Sequence, residues 1–143
     1  MFDIKKSLLF MKIQLIILIT LTCIGIILNS LDNFVIIAGW WVFVFLTLTI
    51  CLLWVGYKSA KNNFSLTESG FNGVILWLIP GAIGLSISGI TYFISSLLWG
   101  NIEGYEVLAF LGGIIAIIIL LGIGSAIAFI LAWVGRFIGS KTQ

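Results

Sequence analysis

The residues with the chemistry to act on a substrate are few: the hydroxyls of Ser86, Ser88, Thr91, Tyr92 and Ser95, and the carboxylates of Glu103 and Glu106. A serine becomes a nucleophile when a base stands within hydrogen-bond reach to take its proton. The chain contains no histidine to serve, which also removes imidazole acid–base catalysis and His-ligated metal or haem centres. The glycine-flanked serine of a nucleophile elbow, G-x-S-x-G, is missing too. Residues 84–89 read GLSISG, and neither serine has glycine two positions away on both sides. Glu103 and Glu106 would share one face of a helix, but acidic connections of this kind are ordinarily solvated. These residues describe a protein that is not an enzyme and that carries no metal and no cofactor.

Ion-coupled transport is equally poorly provided for. Proton relays and coupling-ion sites use ionisable groups inside the membrane, whereas Asp32, Glu68, Glu103 and Glu106 all fall in connections or at the edges of apolar stretches. Lys12 lies within snorkelling distance of a boundary. The two cysteines, Cys23 and Cys51, lie inside apolar stretches, at depths of ~21 and ~8 Å from one boundary at ~1.5 Å per helical residue. That separation exceeds the ~7 Å between Cα atoms that a disulfide allows. They read as small buried hydrophobes.

The elements that position these residues are membrane spans. Of 143 residues, 62% are hydrophobic and 8% charged, with a mean hydropathy of +1.29, far from the roughly one-quarter charged residues of soluble domains. Apolar stretches at 8–29, 34–56, 71–99 and 107–135 each reach the ~20 residues that a helix needs to cross ~30 Å of hydrocarbon. The expected fold is all-α: a polytopic membrane protein of four transmembrane helices in two antiparallel hairpins, with residues 1–143 forming a single transmembrane domain. The first stretch is too long for the apolar region of a signal peptide and is followed by no A-x-A-like cleavage site, so it reads as a retained span. Ser65 and Glu68 have the S-x-x-E spacing of a capping box, which starts the third helix before the lipid. In the connection 29–33, Asn29 can end one helix and Ser30 or Asp32 cap the next.

Charge supplies an orientation. Lys5, Lys6 and Lys12 precede the first span, Lys58 and Lys61 lie between the second and third, and Arg136 and Lys141 end the fourth. The other two connections hold Asp32, Glu103 and Glu106 and no Lys or Arg. The positive-inside rule then places both termini in the cytoplasm and the protein in the cell membrane as a multi-pass protein. The net charge of +2 is a topology signal rather than a nucleic-acid footprint. Trp40, Trp41 and Trp99 fall near the expected outer boundary and Trp54, Trp77 and Trp133 near the inner one, as aromatic belts do.

The third span carries the sharpest local pattern. Gly81, Gly84, Ser88, Thr91 and Ser95 recur at steps of three and four, and Ser125, Ala128 and Ala132 continue the same spacing on the fourth span toward Gly135 and Gly139. Small residues in such register let helix backbones approach in lipid, so these stripes form an expected packing seam between the two spans. Pro80 removes an amide donor and is expected to kink the third helix, with Pro80 and Gly81 as a hinge. Twelve of the sixteen glycines lie after residue 70.

The expected function is non-enzymatic. The protein acts through helix packing, as an accessory or assembly subunit of a membrane complex or as a homo-oligomer, with the lipid bilayer and other transmembrane helices as partners. An alternative is an oligomeric channel or permease for water or small uncharged solutes, lined by Ser88, Thr91 and Ser95. A third is a holin-like pore former, although the terminal S-K-T-Q lacks a strongly charged tail.

Overall fold

A computed structural model describes residues 4–29, 34–98 and 104–141, with the side chains of 34, 90–113 and 116 excepted. The described chain is all-helical: α1 (Ile4–Phe10), α2 (Lys12–Leu28), α3 (Phe34–Lys61), α4 (Leu66–Leu98) and α5 (Gly104–Lys141). Three helical segments, Val35–Lys61, Leu66–Gly89 and Ile117–Lys141, are long and apolar enough to cross a membrane. The first apolar stretch behaves differently. Instead of one helix from Leu8, the chain forms α1 and α2 at 71° to each other, and this bent pair counts as a further candidate span only when taken together. Alone, the 17 residues of α2 reach ~26 Å at ~1.5 Å per residue.

The bend has a visible cause at Met11. Swinging α1 sideways buries Ser7 and Met11 completely, lays the Phe10 ring 5.1 Å from that of Phe64 and brings the Lys6 ammonium 4.6 Å from the Phe64 ring centroid. A straight continuation would carry these side chains past the end of the bundle.

Phe64 belongs to the turn between α3 and α4. Phe64 N–H donates to Ser59 C=O at 3.1 Å and Asn63 N–H to Ala60 C=O at 3.3 Å, the paired bonds of a Schellman motif. Asn63 occupies the left-handed position with φ 57°, where asparagine is tolerated better than most residues. The capping box then starts α4: Ser65 N–H donates to Glu68 Oε2 at 2.7 Å and Glu68 N–H to Ser65 Oγ at 3.2 Å. Stop and start signals follow each other directly, so α3 reverses into α4 within four residues.

Each of the four longer helices buries one stripe of residues spaced by three and four: Gln14 and Leu18 with Met11 just before α2; Leu48, Leu52, Val55 and Ser59; Ser69, Asn72, Leu76 and Pro80; Ala128, Ala132, Gly135 and Gly139. That spacing is the heptad-like seam of a left-handed bundle. The core brings together Met11, Leu15, Leu18, Leu48, Leu52, Val55, Leu76 and Ala128 from all the long helices. α5 packs chiefly against α3 and α4, while α2 packs against α4 and α3. α3 and α5 run parallel, whereas α4 and α5 run antiparallel. Outward faces are apolar, with Val42, Phe45, Ile118, Ile123 and Ile130 all exposed, as lipid-facing surfaces are. The basic side chains gather at the end that carries the 62–65 turn: Lys6 lies over Phe64, Lys61 stacks on Tyr57 at 4.9 Å, and Arg136 Nε donates to Phe64 C=O at 2.7 Å.

Candidate functional site

Between the helices lies a cavity of about 570 Å³, lined among others by Thr22 of α2, Val44 of α3, Trp77, Pro80, Gly81, Gly84 and Ser88 of α4, and Leu121 and Gly124 of α5. Pro80 therefore sits buried on its wall, and α4 runs through it as a single helix. A proline leaves the carbonyl four residues earlier, here that of Leu76, without its helical donor. The rest of the lining is mostly hydrocarbon, with the indoles of Trp41 and Trp77 and the hydroxyls of Thr22 and Ser88. The Thr22 hydroxyl is committed to Leu18 C=O at 2.8 Å, so Ser88 is the remaining hydroxyl on the described wall.

The small residues of α4 divide between two neighbours. A Cβ added at Gly81 would lie 3.2 Å from Leu121 Cδ2 of α5, whereas one at Gly84 would lie 2.7 Å from Thr22 Cγ2 of α2. Lower in the bundle, Gly73 admits Ala128 and Ala132, with the Ala132 Cβ 2.6 Å from the position of a glycine Cβ. Ala128 and Ala132 are buried there. Ser125 Oγ donates to Leu121 C=O at 2.7 Å within its own helix, a local back-bond rather than an interhelical one. The side chains of Thr91 and Ser95 lie outside the described residues, as do those of Glu103 and Glu106.

Among the described glycines, the tightest approach is between α3 and α5. A Cβ at Gly56 would strike the carbonyl oxygen of Ala132 and come within 2.8 Å of the Arg136 amide nitrogen; at Gly135 it would strike the Leu53 carbonyl; at Gly139 it would lie 2.8 Å from Tyr57 O. The stripe on α5 thus faces two helices at once, its upper part meeting α4 and its lower part meeting α3. Its signal for α3 was Gly56, isolated among the large residues of LLWVGY.

Two tryptophans make contacts between helices. Trp40 Nε1 donates to Leu21 C=O at 3.3 Å and its ring fills the notch at Gly25. Trp77 lies flat against Gly124, and its Nε1 is buried with no hydrogen-bond partner. Trp54 stacks on Tyr57 and Trp133 on Phe137 on the exposed surface.

Below the apolar core is a polar layer. Ser7, Ser59 and Asn72 are fully buried, each one helical turn beyond Met11, Val55 and Leu76, which belong to one core cluster. Gln14 lies one turn above Met11. Ser7 Oγ, Ser59 Oγ, Gln14 Oε1 and both amide atoms of Asn72 have no hydrogen-bond partner among the described residues, although buried polar groups are as a rule satisfied. Ser69, by contrast, donates to Ser65 C=O at 3.0 Å. Amides and hydroxyls of this kind can bind by hydrogen bonds but do not exchange protons near neutral pH. Asn72 and Gln14 carried a sequence signal of their own, as carboxamides inside apolar stretches.

Chemically, the described residues offer a hydrocarbon chamber, a neutral polar layer and a cationic end. Among them no group of three or more His, Cys, Asp or Glu side chains comes together, and Cys23 and Cys51 are both free. No family model matches this chain, and comparison with curated proteins and with solved structures finds no match either, so its reading rests on its own residues.

Proposed function

We propose that this protein is a non-enzymatic, four-span protein of the cell membrane, with both termini cytoplasmic, that works by packing against other transmembrane helices, either as an accessory subunit or as a homo-oligomer. The observation that carries this reading is a small-residue face left over on α5. Gly56, Gly73, Gly135 and Gly139 are taken up by contacts inside the bundle, but Gly122 has nothing within 4 Å of where a Cβ would stand. Ala126, one turn further on, is also exposed, between Ile118, Ile119 and Ile130. A small-xxx-small pair on a lipid-facing surface is suited to close approach by a second helix.

The test is association in the bilayer. In a background of Cys23→Ser and Cys51→Ala, the single variant Gly122→Cys is expected to crosslink to a second copy or to a copurifying membrane protein. Gly122→Leu is expected to abolish association while leaving the monomer folded, because open space surrounds the site. A protein that stays monomeric and alone in lipid, or an association indifferent to Gly122→Leu, would overturn the reading. The orientation rests on the cationic end, and a reporter fused to the C-terminus is expected to be active inside the cell; an external signal would reverse it.

A second reading, an oligomeric channel for water or small uncharged solutes lined by Ser88, Thr91 and Ser95, draws support from Ser88, which is exposed and lines the cavity beside Pro80 and Gly81. Flux through proteoliposomes that Ser88→Leu removes would favour it over the packing role.

A further inference from the structure

The end of the bundle that carries the 62–65 turn gathers all seven cations of the chain: three from α1 and the start of α2, two from the end of α3 and two from the end of α5. Glu68 is the one acidic side chain described there, and it is engaged in the capping box with Ser65. Asp3 is the one other acid that the sequence sets beside these cations. The positive excess calls for an anionic partner.

Two of the cations are fixed on one residue. The Lys6 ammonium stands 4.6 Å from the Phe64 ring centroid, and Arg136 Nε donates to the Phe64 carbonyl at 2.7 Å, so the turn holds a cation from α1 beside one from α5. With Nε committed, the two terminal nitrogens of the Arg136 guanidinium have no partner among the described residues. Such donors match phosphate oxygens.

The geometry of α1 sets the level of this surface. It lies at 71° to α2, so where α2 crosses the bilayer α1 runs close to the membrane plane. From Lys12, α2 alone covers ~26 Å, nearly the thickness of the hydrocarbon, which leaves α1 at headgroup level. One face of α1 is turned to the bundle through Ser7. On the other, helical spacing sets Leu9 three and four residues from Lys6 and Lys5, and all three are exposed, Leu9 to 67%. A leucine flanked by two ammonium groups fits the membrane boundary, where it reaches the acyl region while the lysine stems carry their charge to the headgroups. An acidic soluble segment would match the cations alone, whereas an anionic bilayer surface matches the leucine as well.

We propose that α1 lies in the membrane surface and, with Lys12 and Arg136, holds the headgroups of anionic phospholipids at this end of the protein, phosphate oxygens against the cations and Leu9 among the acyl chains. The site takes from the proposed function only that α2 crosses the bilayer; it needs no association between copies.

The full-length protein is reconstituted in phosphatidylcholine vesicles with a minor fraction of spin-labelled phosphatidylglycerol or spin-labelled phosphatidylcholine, and the motionally restricted fraction of each is read by electron paramagnetic resonance. Phosphatidylglycerol is expected to be enriched at the protein by roughly two- to fivefold at low salt, the order of one cation held at an anionic surface, and the enrichment to fall as ionic strength rises. Joint replacement Lys5→Gln, Lys6→Gln and Lys12→Gln, at exposed positions that leave the core intact, is expected to remove most of it. In a Cys23→Ser, Cys51→Ala background, nitroxides are then placed singly at Leu9→Cys and at Thr20→Cys, an exposed position midway along α2. Both are expected to be shielded from an aqueous relaxation agent. With Thr20 shielded, three outcomes overturn the lipid site while the span stands: no preference for phosphatidylglycerol, a preference untouched by the triple replacement, or a Leu9 label open to water, as on a surface kept for a soluble acidic partner. A Thr20 label in water would instead overturn the spanning of α2, and the site with it.

Discussion

Gly135→Ala is expected to destabilise the bundle by about 3 kcal/mol, in the range of overpacked cores, and Gly135→Val to prevent assembly of α3 with α5. The direction is the informative part. In a helix interior, Gly→Ala ordinarily stabilises by about 1 kcal/mol, since alanine loses less backbone entropy. At Gly135, however, the new methyl group would strike the Leu53 carbonyl and come within 3.0 Å of Leu53 C and Cα. These are backbone atoms and cannot rotate away, so the two helices must separate. Gly56 faces the same crossing from α3, against Ala132 O and the Arg136 amide, and Gly56→Ala is expected to act likewise. Gly39 has nothing within 4 Å, and Gly39→Ala serves as the control that keeps the ordinary, stabilising sign. Reversible unfolding in mixed micelles, followed by circular dichroism, measures the difference. A stabilising Gly135→Ala would mean that α3 and α5 do not meet as described.

Phe64→Ala is expected to cost about 3 to 5 kcal/mol, the usual range for deleting a buried phenyl group, and to release α1 from the bundle. Phe64 is only 5% exposed, although it belongs to a four-residue turn. Its ring takes the Phe10 ring on one side and the Lys6 ammonium on another, while its carbonyl accepts from Arg136 of α5. The contact between rings and the cation above them add to the burial term. Because Ser7 is the fully buried residue of α1, a Ser7→Cys thiol reports on docking. It is expected to resist an aqueous maleimide in the otherwise native chain and to react readily once Phe64→Ala is added. Phe64→Leu retains much of the apolar volume and is expected to fall between the two. Protection unchanged by Phe64→Ala would show that α1 is held by other contacts.

Much of the secondary structure was legible because it depends on short-range chemistry. The apolar runs predict helices, and the capping box at Ser65 and Glu68 starts α4 where its spacing places it. The first span is where this reasoning stopped short. Leu8, Leu9 and Phe10 are apolar like the run from Leu15 onward, so no periodicity announces the bend at Met11. What bends the chain there is the pocket formed by Phe64, more than fifty positions away in sequence. Trp77 is a parallel case: depth along a helix gives it a level, but that its ring packs on Gly124 of another helix is visible only in the bundle.

The small-residue stripes show the same division at the level of packing. Steps of three and four put Gly81, Gly84 and Ser88 on one face of α4 and Ser125, Ala128 and Ala132 on one face of α5, because helical geometry alone determines which residues share a face. Which helix each face meets depends on how four helices are arranged around each other. In the bundle Gly84 turns to α2, Gly135 and Gly139 turn to α3, and Asn72, Ser59 and Ser7 converge from three helices into one layer. The sequence by itself determined composition, helical character, the clustering of positive charge at alternate connections and the positions where backbones could come close. The tertiary structure decided the bend at Met11, the partner of each glycine and the chamber beside Pro80, because those follow from contacts between residues far apart in the chain, whose energies no local pattern encodes.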